Sequence, residues 1–359
     1  MTRLIEILIS LAIVFVLFLV VGVFLPSSRF ISEKVETNRK IGIVYDTLNS
    51  FKRFKDWNAI ALRDPTMPMS LSGPESGVGA TFSFDSKQSQ VGKGSWKIVE
   101  SVPNEKIVID VDNDAMGTDK RVQFMLKPTG SNDRNVEITQ TYKVDYGWDL
   151  VGRYAGLYVR SHVGDDMQFS LGKLATLLAS IPNVDYNVYG DKLGEISVTQ
   201  VPAAHVLMVS SGTIELKEEP LAKSMKDNME WINRALASNN LVAAGPMRIV
   251  TDEQGRENYT FNVVLPVRRA DAPADAAVDA PLEGLNLPEV VKYERMPAHR
   301  AITADFQGFF LQLEGVRNAL RAWGAVRGLE PTDRAYEEWK SPIDDSFSDA
   351  QFKVYWPVK

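Results

Sequence analysis

The sequence predicts an α+β protein in which one apolar N-terminal helix is followed by two water-soluble domains. Three observations predict this class: an uncharged apolar run near the N-terminus, a series of alternating strands that ends in a long helix, and an internal repeat in the C-terminal half. The apolar run, Ile7 to Leu25, holds no charge, no proline and one glycine. As a helix it is long enough to cross the hydrocarbon of a bilayer.

A cleaved signal peptide is the alternative interpretation of this run. Signal peptides have shorter apolar cores, followed by a cleavage site made of small residues. Here the core leads into Pro26 and Ser27 without an A-x-A pattern, which favours an uncleaved anchor. We therefore expect residues 1–31 to form a transmembrane anchor and tether, with residues 7–25 in the membrane.

The charges that flank the run bear on its orientation. Arg3 and the free amino terminus favour a cytoplasmic start, whereas the basic residues within 29–40 favour the opposite orientation. We expect a single-pass protein of a bacterial inner membrane, with its soluble body in the periplasm.

The composition argues against several classes of function. With 359 residues, the chain has room for about two domains after the anchor. A net charge of −6 without a cluster of lysine and arginine argues against a nucleic-acid partner. The absence of cysteine removes disulfides, thiol nucleophiles and cysteine-ligated metals. Since no phosphate-binding glycine loop, metal motif or nucleophile elbow is recognisable, we expect no metal or cofactor and favour binding over catalysis.

The first soluble domain is predicted to cover residues 32–182. It begins with a charged strand, a short helical pattern over residues 41–51 and an aromatic pair, Phe54 and Trp57. The apolar residues then change to a period of two, which is typical of antiparallel strands with one buried and one solvated face. These strands predict a curved antiparallel sheet.

A long helix from about residue 148 to residue 180 is predicted to close this domain against the sheet. Small residues stand in the middle of its inward face, which predicts a hollow between helix and sheet. The predicted inward stripe is Leu150, Tyr154, Leu157, Ser161, Gly164, Met167, Leu171, Leu174 and Leu178.

This order of elements resembles the START-related helix-grip superfamily, in its polyketide-cyclase/dehydrase-like branch (SRPBCC). The segments VYDTLNSFKRFKDWN, GPESGVGATFSF and GKGSWKIVESVPNEKIVIDV carry the resemblance. It implies an apolar cavity between sheet and helix that holds one or two polar groups. Gln140 and Trp96 are therefore candidate ligand-binding residues. The alternatives are a core glutamine satisfied by nearby backbone and a core tryptophan that packs like Trp57 and Phe82.

The second soluble domain, residues 194–359, follows a linker at 183–193 and contains the repeat. Each half has a strand entered through Pro-Ala (VPAAHVLMVSSG and MPAHRAITADFQG), an amphipathic helix and a last strand that ends in Pro-Val (YTFNVVLPV and QFKVYWPV). The spans 202–266 and 297–357 are each about 60 residues long. The repeat predicts two βαββ halves that share one sheet, with both helices on the same face.

This duplicated pattern resembles the GyrI-like (gyrase-inhibitory-protein-like) small-molecule-binding fold, which is also the effector domain of multidrug-sensing transcription activators. The resemblance implies a ligand cleft between the halves, lined by aromatic residues and a glutamate in a W/Y-E-x-Y-type segment. In RAYEEWKSP, these places fall to Tyr336, Glu337 and Trp339, and the last strand adds Tyr355. A carboxylate among aromatic rings attracts organic cations. Glu338 is not separated from Glu337 by this pattern.

The chain departs from that family at the strand before Pro-Val. Many members carry an acidic residue there, whereas this chain has Asn262 in the first half and Lys353 in the second. The departure weakens the implied preference for cations. An exposed strand carboxylate is the alternative interpretation of Glu337.

Together these features predict a membrane-anchored binding protein for hydrophobic or amphiphilic small molecules or lipids, with one cavity in each soluble domain. A hydrolase or cyclase-type enzyme that uses the cleft glutamate as a base is one alternative. An envelope scaffold that docks another protein is the second, although the sequence identifies no protein partner. The histidines, His162, His205 and His299, form no catalytic motif.

Overall fold

The computed structural model describes residues 2–273, 276–341 and 349–359. The described residues fall into two compact units, Met1–Asn183 with Val326–Gly328 and Val184–Ala325 with Leu329–Lys359. Each unit contains one antiparallel sheet, and an apolar helix lies at the N-terminus. The predicted α+β class is therefore confirmed.

The first unit contains one membrane-length helix, a seven-stranded sheet and five shorter helices within the described residues. Its elements are α1 Thr2–Phe24, β1 Ser28–Thr37, α2 Ile41–Leu48, α3 Phe54–Trp57, α4 Ala59–Arg63, β2 Met69–Ser72, β3 Thr81–Asp85, β4 Lys93–Val102, β5 Lys106–Asn113, β6 Thr118–Thr129, β7 Asn135–Asp145, α5 Leu150–Ala155 and α6 Asp165–Ser180.

Helix α1 contains the predicted apolar run except for its last residue, Leu25, and most of its side chains are exposed. Among the described helices, it is the one long and apolar enough to cross a membrane, from Arg3 to Phe24. Only three residues, 25–27, separate it from β1. The first sheet therefore begins almost directly at the end of the apolar helix.

The first sheet has the strand order β1-β7-β6-β5-β4-β3-β2, with every neighbouring pair antiparallel. Along β7, buried and half-buried residues alternate because successive side chains point to opposite faces. The buried face includes Ile138, Gln140 and Tyr142. Helix α6 buries its own apolar stripe, which includes Leu171 and Leu174. These elements form the predicted curved sheet closed by a helix.

The closing helix differs from the prediction in its first half. A 3₁₀ turn at Gly156–Tyr158 and a π segment at Arg160–Gly164 separate α5 from α6. A π turn contains an additional residue, so it rotates the side chains that precede it relative to those that follow. The inward stripe is therefore correct from Met167 onward but wrong at Leu157 and Ser161, which are exposed.

Two glycines of this first half, Gly152 and Gly156, lie close to Tyr146, which directly follows β7. A Cβ atom at Gly156 would lie 2.9 Å from a ring carbon of Tyr146, closer than a side chain is accommodated without displacement. Glycine thus allows α5 and the turn after it to pack closely on Tyr146. The larger apolar side chains of this stretch point outward instead.

The second unit contains a nine-stranded sheet and two long helices within the described residues. Its elements are β8 Ser197–Val201, β9 Ala204–Glu215, α7 Glu218–Ser238, β10 Leu241–Ala243, β11 Arg248–Gln254, β12 Asn258–Arg269, β13 Lys292–Met296, β14 His299–Gly308, α8 Leu313–Val326, β15 Tyr336–Trp339 and β16 Ala350–Val358.

The strand order β13-β9-β12-β11-β15-β16-β14-β8, with β10 beside β12, contains the two predicted halves. The first half is β9-α7-β11-β12 and the second is β14-α8-β15-β16, and they join through the antiparallel pair β11 and β15. Ile249 lies opposite Glu337 at this junction. Leu221 of α7 and Val316 of α8 belong to one hydrophobic cluster, which places both helices on the same face.

Candidate functional site

The predicted site residues of the second unit lie on the two opposite faces of its sheet. Glu337 and Trp339 alternate with Tyr336 along β15, so they point to the other side. Trp339 packs in the cluster beneath the helices, whereas Tyr336 and Tyr355 form a separate cluster. The structure therefore brings the predicted residues together in pairs rather than in a single group.

Glu337 has no exposed surface, because its side chain points from β15 towards helix α8. Arg317 of α8 donates from Nε to its Oε1 over 2.6 Å and from Nη2 to its Oε2 over 2.9 Å. Such a paired arrangement is the strong, planar form of the arginine–carboxylate contact. Both oxygens of the carboxylate are thus engaged inside the protein.

Arg317 is held by further polar groups of the same interior. Its Nη1 donates to Gln254 Oε1 over 2.7 Å, and Tyr259 Oη lies 2.8 Å from Thr251 Oγ1 beside it. Burial alone would lower the pKa of Arg317, but the charge and hydrogen bonds of Glu337 outweigh burial and raise that pKa above its ordinary value. The network therefore holds a charged guanidinium in a nearly dry site.

The opposite face carries a stacked aromatic pair. The rings of Tyr336 and Tyr355 lie 4.9 Å apart with planes 13° from parallel. Tyr355 Oη donates to Glu338 Oε2 over 3.0 Å, and Arg248 Nη2 donates to Glu338 Oε1 over 2.9 Å. Arg248 also lies over the ring of Tyr336, 5.3 Å from its centroid. This face thus combines two aromatic rings with an arginine–glutamate pair.

Burial changes the acidity of these phenols. It raises the pKa of Tyr336 to about 12, and burial together with the neighbouring Glu338 carboxylate also raises the pKa of Tyr355. Both hydroxyls therefore stay protonated further into the alkaline range than the hydroxyl of a free tyrosine, and in that state they can donate hydrogen bonds.

Sequence reasoning missed Arg317, Arg248 and Asp252. Asp252 accepts a hydrogen bond from Asn262 Nδ2 over 2.7 Å, so an acidic group lies beside Asn262. Arg317 left one signal, a basic residue beside Val316 in the otherwise apolar stripe of α8. Lys353 lies over the ring of Tyr355, 5.7 Å from its centroid.

In the first unit, Gln140 and Trp96 both lie in the interior. Gln140 is 2% exposed and Trp96 is 6% exposed. Among the described residues, Gln140 Oε1, Trp96 Nε1 and Trp57 Nε1 have no hydrogen-bond partner. Leaving a buried donor or acceptor unpaired costs about 1–3 kcal/mol, so such atoms require an explanation.

Aromatic rings surround these polar atoms. The ring of Phe54 lies 5.3 Å from that of Trp57 and 5.0 Å from that of Trp96. Trp57 also approaches Phe124, 6.1 Å away, and Phe124 stands opposite Gln140 in the β6–β7 register. The interior is therefore apolar with a small number of unmatched donors and acceptors.

A groove on the first unit has a volume of about 500 Å³ and lies away from these residues. Its lining includes Met69, Phe84, Lys93 and Asp112. Neither Gln140 nor Trp96 borders it, so the groove and the predicted interior site are different places.

The histidines do not assemble a catalytic group among the described residues. His205 Nδ1 lies 2.9 Å from Tyr293 Oη, and burial followed by the charge of Arg295 lowers the pKa of His205. His162 is exposed beside the carbonyl of Tyr158. Within the described ranges, no group of three or more histidine, aspartate or glutamate side chains is placed to hold a metal ion.

Comparison with known proteins identifies structural similarity alone. No family model matches the chain, and no curated protein sequence matches it. The C-terminal domain of EcmrR is 15% identical over 46% of this chain and 97% of its own, with a TM-score of 0.36. Norcoclaurine synthase from Thalictrum flavum is 12% identical over 43% of this chain and 94% of its own, with a TM-score of 0.34.

A protein from Chromobacterium violaceum is 16% identical over 42% of this chain and 96% of its own, with a TM-score of 0.30. Matches with such low identities and scores assign no function to this chain.

Proposed function

We propose that this protein is a membrane-anchored binding protein for hydrophobic or amphiphilic small molecules or lipids. In this proposal, residues 1–31 form the anchor and tether, 32–182 a helix-grip domain, 183–193 a linker and 194–359 a GyrI-like domain. Helix α1 crosses a bacterial inner membrane once, and the soluble body lies in the periplasm.

The observation that carries the proposal is the set of unpaired polar atoms in the apolar interior of the first unit. Binding sites for small molecules are mostly apolar and contain a few polar groups that fix orientation. Gln140 Oε1 accepts, whereas the indole nitrogens of Trp57 and Trp96 donate. A largely apolar guest with one donor for Gln140 Oε1 and acceptors for the two indole N–H groups would satisfy these atoms.

In the second unit, we assign ligand contact to the face of Tyr336 and Tyr355. The stacked rings are buried and apolar, and Arg248 and Glu338 place both signs of charge beside them. Glu337 and Trp339 lie on the opposite face of the sheet, beneath the helices. Because Arg317 already occupies both oxygens of Glu337, the arrangement favours binding over a hydrolase that uses Glu337 as a base.

Native mass spectrometry of the full-length protein, released from detergent micelles, tests the proposal. We expect an apolar adduct that is retained by the wild type and lost or exchanged in Gln140→Leu. Gln123→Leu is the matched control, because Gln123 lies on the outer face of β6 and is only half-buried. An adduct-free wild type, or equal retention by Gln140→Leu and wild type, would contradict an interior site at Gln140.

A further inference from the structure

The end of helix α1 is bound by helix α5 of the first unit. Arg153 Nη1 donates to the carbonyl oxygens of Val23 over 2.9 Å and of Leu25 over 3.2 Å. The last carbonyl groups of a helix have no partner within it, and a cation near them is favourable. Arg153 therefore satisfies the C-terminal end of α1.

A second contact reaches further along α1. Tyr154 Oη donates to the carbonyl oxygen of Phe18 over 2.9 Å, and the two rings stack 4.6 Å apart. Gly22 allows this approach, since a Cβ atom there would lie 3.3 Å from both Leu150 and Tyr154. Helix α5 thus packs on the last third of α1 rather than on its tip.

These contacts fix the depth of α5 relative to the apolar run. At about 1.5 Å of rise per residue, Phe18 lies about 10 Å along the axis from Leu25, where the run ends. If α1 crosses a bilayer as in the proposed function, the hydroxyl of Tyr154 lies at the level of the lipid headgroups or in the hydrocarbon next to them. The residues next to Tyr154, on α5 and in the segments just before and after it, then lie near that depth.

The side chains that flank Tyr154 are large, apolar and exposed. Trp148 is 80% exposed, Val151 54%, Leu157 51% and Tyr158 66%. Val151 precedes Tyr154 on α5 and Leu157 follows it in the 3₁₀ turn, so both are close in the chain to the contact with α1. Helices on the surface of a soluble domain usually present polar side chains outward, whereas here the outward residues are apolar. Tryptophan and tyrosine are also the residues enriched at membrane interfaces.

We propose that Trp148, Val151, Leu157 and Tyr158 form a lipid-contacting surface, the α5 surface, that is inserted into the bilayer interface beside α1. This inference rests on the membrane anchoring in the proposed function. It adds a second membrane contact, made by the start of the closing helical segment of the first unit, and it identifies lipid as the partner of this surface.

Nitroxide labels on the full-length protein in phosphatidylethanolamine–phosphatidylglycerol vesicles test the α5 surface. The chain has no cysteine, so each single-cysteine variant takes one label. Val151→Cys and Leu157→Cys probe the surface, and Val14→Cys probes the middle of α1. Val78→Cys is the matched control, because Val78 is also apolar and exposed but lies in the segment between β2 and β3. Collision of each label with oxygen and with a water-soluble nickel chelate reports its depth.

We expect the labels at positions 151 and 157 to be shielded from the chelate and open to oxygen, like the label at position 14. The label at position 78 should show the reverse. If 151 and 157 match 78 while 14 stays shielded, the α5 surface is in water and the inference is overturned, although anchoring stands. If 14 is also open to the chelate, anchoring itself fails. Loss of both collision rates at 151, with spin–spin broadening, would show a second copy of the chain on this surface and would also overturn the inference.

Discussion

Glu337 and Arg317 form the most completely buried ion pair described in the second unit. Sequence reasoning selected Glu337 by its place in a resemblance, whereas Arg317 lies 20 residues away on another element. Their contact forms only when α8 packs on the sheet, so no local sequence pattern predicts it. At the residue scale, Arg317 alone decides whether Glu337 is a free carboxylate or a paired one.

Removal of Arg317 should destabilise the second unit strongly. Arg317→Met leaves the buried carboxylate of Glu337 without its donors, and breaking a buried pair in this way costs about 3–5 kcal/mol. Urea denaturation of the full-length protein in detergent measures the change in the free energy of unfolding.

The double variant Arg317→Met/Glu337→Leu is the control for this change. Replacing both charges by apolar groups removes the unpaired carboxylate, so most of the lost stability should return. A single variant within about 1 kcal/mol of wild type would mean that water reaches Glu337 and that the pair is not buried in solution.

The raised pKa of Tyr336 predicts a loss of stability at alkaline pH. The unfolded chain releases the phenolic proton near pH 10, whereas the folded protein holds it until about pH 12. The contribution of this group to stability is thus complete below about pH 10 and is lost between about pH 10 and 12, by up to about 3 kcal/mol.

Unfolding midpoints measured across that pH window check the prediction. Tyr336→Phe keeps the ring but has no proton to lose, so its midpoint should fall less steeply than that of wild type. Identical slopes for wild type and Tyr336→Phe would be inconsistent with a buried hydroxyl at position 336.

At the scale of elements, the closing helix of the first unit shows where periodicity is sufficient. The regular spacing of Met167, Leu171, Leu174 and Leu178 correctly predicts the buried face of α6. Before Gly164, a 3₁₀ turn and a π segment change the number of residues per turn, so a fixed period assigns Leu157 to the wrong face.

The close packing behind α5 predicts opposite effects for two glycine substitutions. At Gly156, a Cβ atom would be 2.9 Å from Tyr146, and overpacking of this kind typically costs about 1–3 kcal/mol. At Gly172 of α6, a Cβ atom would meet nothing within 4 Å, so alanine there should be neutral or stabilising by up to about 1 kcal/mol.

Thermal unfolding of Gly156→Ala and Gly172→Ala in the same detergent compares the two. We expect a lower midpoint for the first and an unchanged or higher midpoint for the second. Equal midpoints would indicate that Tyr146 moves aside without cost and that α5 is not closely packed.

At the scale of the whole molecule, the sequence was sufficient for the fold class but not for the site. Alternation along β7, the apolar run of α1 and the Pro-Val strand ends are local signals, and each predicted its element. The division of Tyr336 and Glu337 between two faces follows from alternation as well and could have been foreseen. The unpaired atom of Gln140 and the bond from Arg153 to α1 depend on tertiary packing, which no spacing in the sequence records.

The short connection between α1 and β1 limits how the proposed binding protein would meet a guest molecule. Three residues, 25–27, reach at most about 10 Å, and the backbone N–H of Tyr146 donates to the carbonyl oxygen of Ser27. With α1 in a bilayer, this connection is too short for the first unit to move away from the membrane surface. A guest dissolved in the same membrane would then reach the first unit by lateral diffusion, and the frequency of encounters would scale with the surface density of that guest.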